Sequence, residues 1–250
     1  MGGNGIRCLA KYIWDRGLSD KNILKIDTLA GIIRPERVGK LVKVDMGMPI
    51  FEPEKIPVKI GQQANIEEKA IVDYPIKIKD REFKITCVSM GNPHAVVFLN
   101  EDISDFPVSL YGPEIESHQL FPKRTNVEFV NVKSKTELTM RVWERGSGET
   151  MACGTGASAA GVAAMLKDLT ARNVIIHLPG GDLIIEWTET NRVYMTGPAT
   201  EVFEGRIKVL TEQKVERRRH PRRFCNVPMK FHKKGEVNGT LHKCIAEYKR

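Results

Sequence analysis

The chain has 250 residues, 41% hydrophobic and 28% charged, with a formal net charge of +8, a balance that fits a folded globular protein with a sizeable core. No apolar run approaches the roughly 20 residues of a membrane-spanning helix, and no signal peptide leads the chain, which argues against a membrane-spanning or secreted protein. The cysteines (Cys8, Cys87, Cys153, Cys225, Cys244) are odd in number, scattered, and form no C-x-x-C pair, which excludes a disulfide scaffold and predicts free thiols in a reducing, cytoplasmic setting.

In chain order, "MGGNGIRCLAKYIWDRG" predicts a helix over residues 4–14. Asn4 is placed as N-cap, and Ile6, Leu9, Ala10 and Ile13 fall on one face. From Lys40 to about Glu144 the pattern is mostly short strands, "KLVKVDM", "FKITCVSM", "AVVFL", "NVEFVNV" and "LTMRVWE", punctuated by Pro, Gly, Asn and Asp. An Ala/Gly-rich helix is predicted from Thr155 to about Asp168, suited to close packing on every side. "NVIIHLPGGDLIIEWTE" reads as a hairpin turning at Pro179–Asp182, and "RVYMTGP" and "TEVFEGRIKVL" as closing strands. Gly2-Gly3-Asn4-Gly5 aligns with Cys153-Gly154-Thr155-Gly156, each opening a helix. This weak repeat suggests two related halves, the first lacking the strands expected before its helix.

Cys153 sits in a glycine-flanked turn at a helix N-terminus, where the helix dipole and unpaired N–H groups favour a thiolate. The N–H groups of Gly154 and Thr155 would suit a carboxylate there. A small buried thiol is the alternative at this position. Upstream, Glu144 and Arg145 end a strand side by side, with Gly146 and Gly148 placed to turn the backbone. An Arg for a carboxylate and a Glu for an ammonium is what an amino-acid substrate requires, although an exposed ion pair reads the same way. Asn92 and Asn126 read singly as turn residues, with His94 beside Asn92.

"MGNPHAVVF", "GPEIESHQLFPKRTNVEFV", "RVWERGSGETMACGTGASAAG" and "VYMTGPATEVFEG", with "GGNGIRCLAKYI" before them, closely resemble the diaminopimelate epimerase family from Met1 to about Val209. The resemblance implies an α/β (α+β) fold of two pseudo-repeated halves, each a set of strands around a central helix. Their expected extents are residues 1–47 with 199–210, and residues 48–198. It also implies a racemase using neither metal nor pyridoxal phosphate, forming homodimers, that interconverts LL- and meso-diaminopimelate for lysine and peptidoglycan synthesis. One cysteine thiolate removes the α-proton while a second thiol protonates the opposite face. By this resemblance Cys153 is one of the two. Gly3, Asn4, Gly154 and Thr155 bind the α-carboxylate. Glu144 and Arg145 bind the ammonium and the distal carboxylate, Asn92 and Asn126 contact substrate, and His94 lies beside the site. The position of the other cysteine is Gly2. Cys8 is six residues further on, roughly 9 Å along the helix axis at about 1.5 Å per residue, too far to replace it. A half-reaction or non-catalytic descendant with a binding role is therefore the alternative expectation, and an isomerase of another substrate a third.

From Gln213 onward twelve Lys/Arg stand against three Asp/Glu, a surplus of nine that leaves residues 1–212 at −1. This tail reads either as a solvated basic extension that meets nucleic acid or anionic membrane, or as the opening of a PilZ domain. In the second case Arg218 and Arg222, spaced R-x-x-x-R, would grip cyclic di-GMP phosphates. Cys225, His232, His242 and Cys244 fit no zinc spacing.

Overall fold

The structure is a computed structural model that describes residues 2–29, 31–59 and 70–202. Residues 203–250, with Arg218, Arg222 and most of the last predicted strand, lie outside the described residues. Helix α1 (Gly3–Asp15) buries Ile6 and Ala10 of the predicted face together with Trp14, while Leu9 and Ile13 are half-buried against the same core. Its N-cap is Gly2, not Asn4. Asn4 is already helical and reaches across the helix entrance, donating to Ala152 O at 3.3 Å and accepting from Arg7 Nη1 at 3.2 Å.

A small hairpin, β1 (Ile26–Thr28) and β2 (Gly31–Ile33), precedes β3 (Glu36–Val38) and β4 (Leu41–Gly47). Then come β5 (Tyr74–Ile78), β6 (Arg81–Ser89), β7 (Pro93–Phe98), α2 (Val108–Glu116), β8 (Asn126–Val132), β9 (Glu137–Glu144) and β10 (Gly148–Thr150). Helix α3 (Gly154–Leu166) and strands β11 (Asn173–Leu178), β12 (Gly181–Trp187) and β13 (Val193–Gly197) complete the described fold. Each strand motif predicted before Val202 forms a strand. The predicted hairpin is present, with Pro179 and Gly180 between its strands.

The strands β3 to β13 form one sheet in the order β3-β4-β13-β12-β11-β9-β8-β7-β6-β5, with β10 attached to β9. Most neighbours are antiparallel. The parallel pairs β7–β8 and β9–β11 are each joined through a helix, α2 and α3 respectively, the long crossover that parallel pairing needs. β13 pairs with β4, so residues 193–197 share a ladder with residues 41–47.

α3 starts one residue before the predicted helix and ends two before its predicted close. Every residue from Gly154 to Met165 is buried, because the sheet curls around it and places β6, β7 and β8 on one side and β11, β12 and β13 on another. Only small side chains permit this approach: a Cβ on Gly161 would lie 2.9 Å from Ile185 Cγ2. A second apolar cluster lies between β5–β8 and α2. There Phe106 packs on Phe129 (ring centroids 4.8 Å apart) and Phe83 on Tyr111 (5.0 Å).

The sequence reading missed α2. Gly112 and Pro113 inside it read as a turn, but the glycine is there for contact: a Cβ would sit 2.6 Å from Trp143 Cγ. Burial of Val108, Tyr111 and Ile115 overrides the weak helix propensity.

Candidate active site

The entrances of α1 and α3 come together against one side chain. A Cβ on Gly3 would lie 2.8 Å from Met195 Cε, and one on Gly154 would lie 2.9 Å from Met195 Sδ and 3.2 Å from Asn4 Oδ1. Glycine at both positions therefore lets two helix N-termini approach Met195 of β13. Each helix presents the positive end of its dipole here, so partial positive charge gathers from two directions.

Cys153 is the N-cap of α3, and its Sγ accepts the Gly156 N–H at 3.4 Å. Thr155 Oγ1 lies 3.5 Å from the same sulfur. The sequence reading expects the helix N-terminus to depress this thiol's pKa, and the structure corrects that expectation. Cys153 is buried. Burial, followed by the neighbouring acids Glu144 and Glu128, pushes the thiol up to about 12 against the opposing hydrogen bonds from Thr155 and Gly156. In this state the sulfur carries its proton.

The strand end at Glu144 turns as predicted. Gly146 and Gly148 adopt φ of +71° and +82°, β10 folds back on β9, and Thr150 Oγ1 donates to Glu144 Oε1 at 2.6 Å. Asn126 shapes this turn from β8. Its Oδ1 accepts the Arg145 N–H at 2.9 Å, and its amide donates to Pro93 O at 2.8 Å. Arg145 Nη1 donates to Lys123 O at 3.0 Å.

Asn92 lies in the β6–β7 turn and faces α3: its Nδ2 donates to Thr155 Oγ1 at 3.3 Å. His94 Nε2 lies 3.1 Å from Asn92 Oδ1, and His94 Nδ1 lies 2.7 Å from Glu128 Oε1. The structure thus gathers Cys153, Gly154, Thr155, Asn92, His94 and Glu144 around the entrance of α3, with Gly3 and Asn4 beside it, while Asn126 pairs with His94 across β7 and β8 and holds the Arg145 turn. Gly2 carries no side chain, and nothing lies within 4 Å of where its Cβ would stand.

Three residues here escape the sequence reading. Glu116 of α2 accepts the Gly146 N–H at 2.9 Å and the Trp143 indole N–H at 2.7 Å, holding the Arg145 turn from below. Met195 joins the helix entrances. Glu128 is buried in a strand whose first five residues are all buried, and a glutamate in an otherwise apolar run is the signal that marks it.

The profile of the diaminopimelate epimerase family matches residues 86–202. The chain is 53% identical over 213 residues to the diaminopimelate epimerase of Acetivibrio thermocellus, covering 83% of this chain and 74% of that one. It is 50% identical to the Halothermothrix orenii enzyme (84% and 73% covered) and 50% identical to that of Methanococcus maripaludis (84% and 75%). Among solved structures, a probable proline racemase from Agrobacterium radiobacter superposes with a TM-score of 0.55 at 14% identity, covering 77% of this chain and 63% of that one. A Bacillus anthracis phenazine biosynthesis protein of the PhzF family gives 0.52 at 14%, covering 79% and 73%; these two describe the fold alone. With half its residues shared over most of its length, and the strands, helix entrance and glutamate–arginine turn in place, this chain belongs to the diaminopimelate epimerase family.

Proposed function

We propose that the chain acts on diaminopimelate at the entrance of α3, with Cys153 as the group that exchanges a proton with the α-carbon. One observation carries this reading: the only cysteine at a helix entrance among the described residues is also the one flanked by Glu144, Thr155 and a second helix N-terminus. The first-turn N–H groups at Gly3, Asn4, Gly154 and Thr155 take the α-carboxylate. They stabilise the negative charge that spreads onto it when the α-proton leaves. Glu144 takes the α-ammonium, Arg145 the distal carboxylate, and Asn92 orients the groups between them.

Cys153 starts as a thiol. An ammonium docked on Glu144 offsets one of the charges that hold it protonated, so substrate binding draws the sulfur toward thiolate. The thiolate then takes the proton as the α C–H bond breaks, and the pair of electrons passes into the carboxylate. Return of a proton from the same sulfur restores the original configuration, and inversion requires a donor on the opposite face. Because Gly2 offers none, a half-reaction is the second reading, in which exchange outpaces inversion. The two-half division (residues 1–47 with 199–210, and 48–198), a homodimeric assembly and a cytoplasmic location belong to the same proposal.

The test is wash-in of solvent deuterium at the α-carbon in D2O, followed by mass spectrometry. Wild-type protein incorporates deuterium, and Cys153→Ala lowers the rate at least about 100-fold, the lower end of what a positioned acid/base supplies. With the thiol held up, the rate rises by about tenfold per pH unit between pH 7 and 9, following the thiolate fraction. Equal incorporation by the Ala variant would remove Cys153 from the reaction.

A further inference from the structure

Glu128 is a buried acid that this chemistry leaves unused. It stands on β8 with neither carboxyl oxygen in contact with solvent, and its Oε2 has no hydrogen-bond partner among the described residues. Leaving a buried carboxyl half satisfied is costly, and an apolar residue of similar size avoids the penalty. Among the described residues its side chain makes one hydrogen bond, to His94 Nδ1 at 2.7 Å. The titratable groups facing it are His94 on β7, Glu144 on β9, Cys87 on β6 and Cys153 on α3.

From His94 the contacts run in one direction. If Glu128 donates to Nδ1, the ring's hydrogen sits on Nε2, which donates to Asn92 Oδ1 at 3.1 Å. That fixes the Asn92 amide with its nitrogen toward α3, donating to Thr155 Oγ1 at 3.3 Å. An accepting Thr155 oxygen leaves its own hydrogen for Cys153 Sγ, 3.5 Å away. Burial raises the carboxyl of Glu128, with His94 opposing, so the acid is biased toward the protonated form that can donate.

We propose that Glu128 is a positioning residue: by donating to Nδ1 it locks His94 in its Nε2–H form and, through Asn92 and Thr155, keeps a hydroxyl donor on the Cys153 sulfur. Loss of that donor lets the ring and the amide reverse, and the Thr155 hydroxyl turns from the sulfur to the amide oxygen. The proposal rests on Cys153 being the reacting thiol, but its test needs no substrate.

The experiment is alkylation of Cys153 by iodoacetamide across pH 7–11, read by mass spectrometry of its peptide, in wild type, Glu128→Gln and Glu128→Met. The Gln amide can still donate to Nδ1 without carrying charge, so its profile lies at or slightly below the wild-type pH. The Met variant is also uncharged but has no donor, and its profile moves up by about one pH unit relative to Gln, a tenfold slower reaction at fixed pH, as expected for one hydrogen bond to a thiolate. Coincident Gln and Met profiles would overturn the proposal. Should the Met variant not fold, nitrogen-15 NMR of wild-type His94 decides: a proton on Nε2 supports the chain of donors, and a bare Nε2 refutes it. Loss of deuterium wash-in alone, with these two readouts as expected, counts against the catalytic reading and leaves the positioning role standing.

Discussion

At the scale of single residues, position 2 is where the proposed reaction needs its second thiol. Gly2 is the N-cap of α1 at φ −101° and ψ 85°, a conformation open to any residue, and nothing crowds its would-be Cβ. A cysteine can therefore be placed there without disturbing the fold. On the half-reaction reading the wild type incorporates deuterium while largely retaining configuration, and Gly2→Cys adds inversion, faster by about 100-fold or more if a second positioned thiol is supplied. Chiral chromatography of the LL and meso forms reads the difference. An unchanged ratio would mean that position 2 does not face the α-carbon. Cys153, Glu144, Arg145 and Thr155 were legible in the sequence because they lie within one short stretch whose glycines announce its turns. The state of the sulfur was not: its pKa follows first from burial, which local spacing does not encode. Asn126 was legible by position, but the structure shows its amide spent on Pro93 and Arg145, a role that depends on which strands are neighbours.

At the scale of elements, α2 shows why one helix stayed hidden while α3 did not. The composition of α3 states its own environment, since an Ala/Gly helix has little use outside a tight enclosure. α2 is written for a contact instead, with Gly112 seated on Trp143 and Pro113 removing a backbone donor. The seat matters to the site, because Trp143 and Gly146 both donate to Glu116 at the end of α2. Gly112→Ala is expected to destabilise the protein by about 1–3 kcal/mol, the usual range for overpacking. By shifting Glu116 it should also loosen the Arg145 turn. Thermal denaturation checks the first effect. The second is read as a raised KM for deuterium wash-in with kcat less affected, since the role proposed for Arg145 is at the distal carboxylate rather than the reacting carbon. If Tm falls while KM stays put, α2 supports the fold but not the turn.

At the scale of the whole molecule, the longer strands were legible, but β1, β2, β3, β5 and β10 were not, and neither was the order of the strands in the sheet. Alternation marks a strand, but nothing local indicates that β4 must meet β13, some 150 residues later, or that β9 and β11 lie side by side across α3. Those pairings pack the sheet around α3, whose N-cap is the buried Cys153, so the site's acidity and the stability of the fold are linked. Burial raises this thiol from 9.0 to about 12, which means that the folded state resists ionising it. Stability from this group is therefore intact below the unfolded value near pH 9 and is lost as pH rises toward 12, in total about 4 kcal/mol at 1.4 kcal/mol per unit. Cys87, also buried and also raised, contributes in the same direction and stays the same in a Cys153 variant. Comparing wild type with Cys153→Ala isolates the one thiol. Between pH 8 and 10.5 the wild type is expected to lose about 2 kcal/mol more than the variant, or about 4–8 °C of Tm for a domain of this size. Melting curves at a series of pH values measure it. Parallel declines would mean that the thiolate forms in the folded protein at little cost. Burial under the sheet would then not be what keeps the sulfur protonated before substrate arrives.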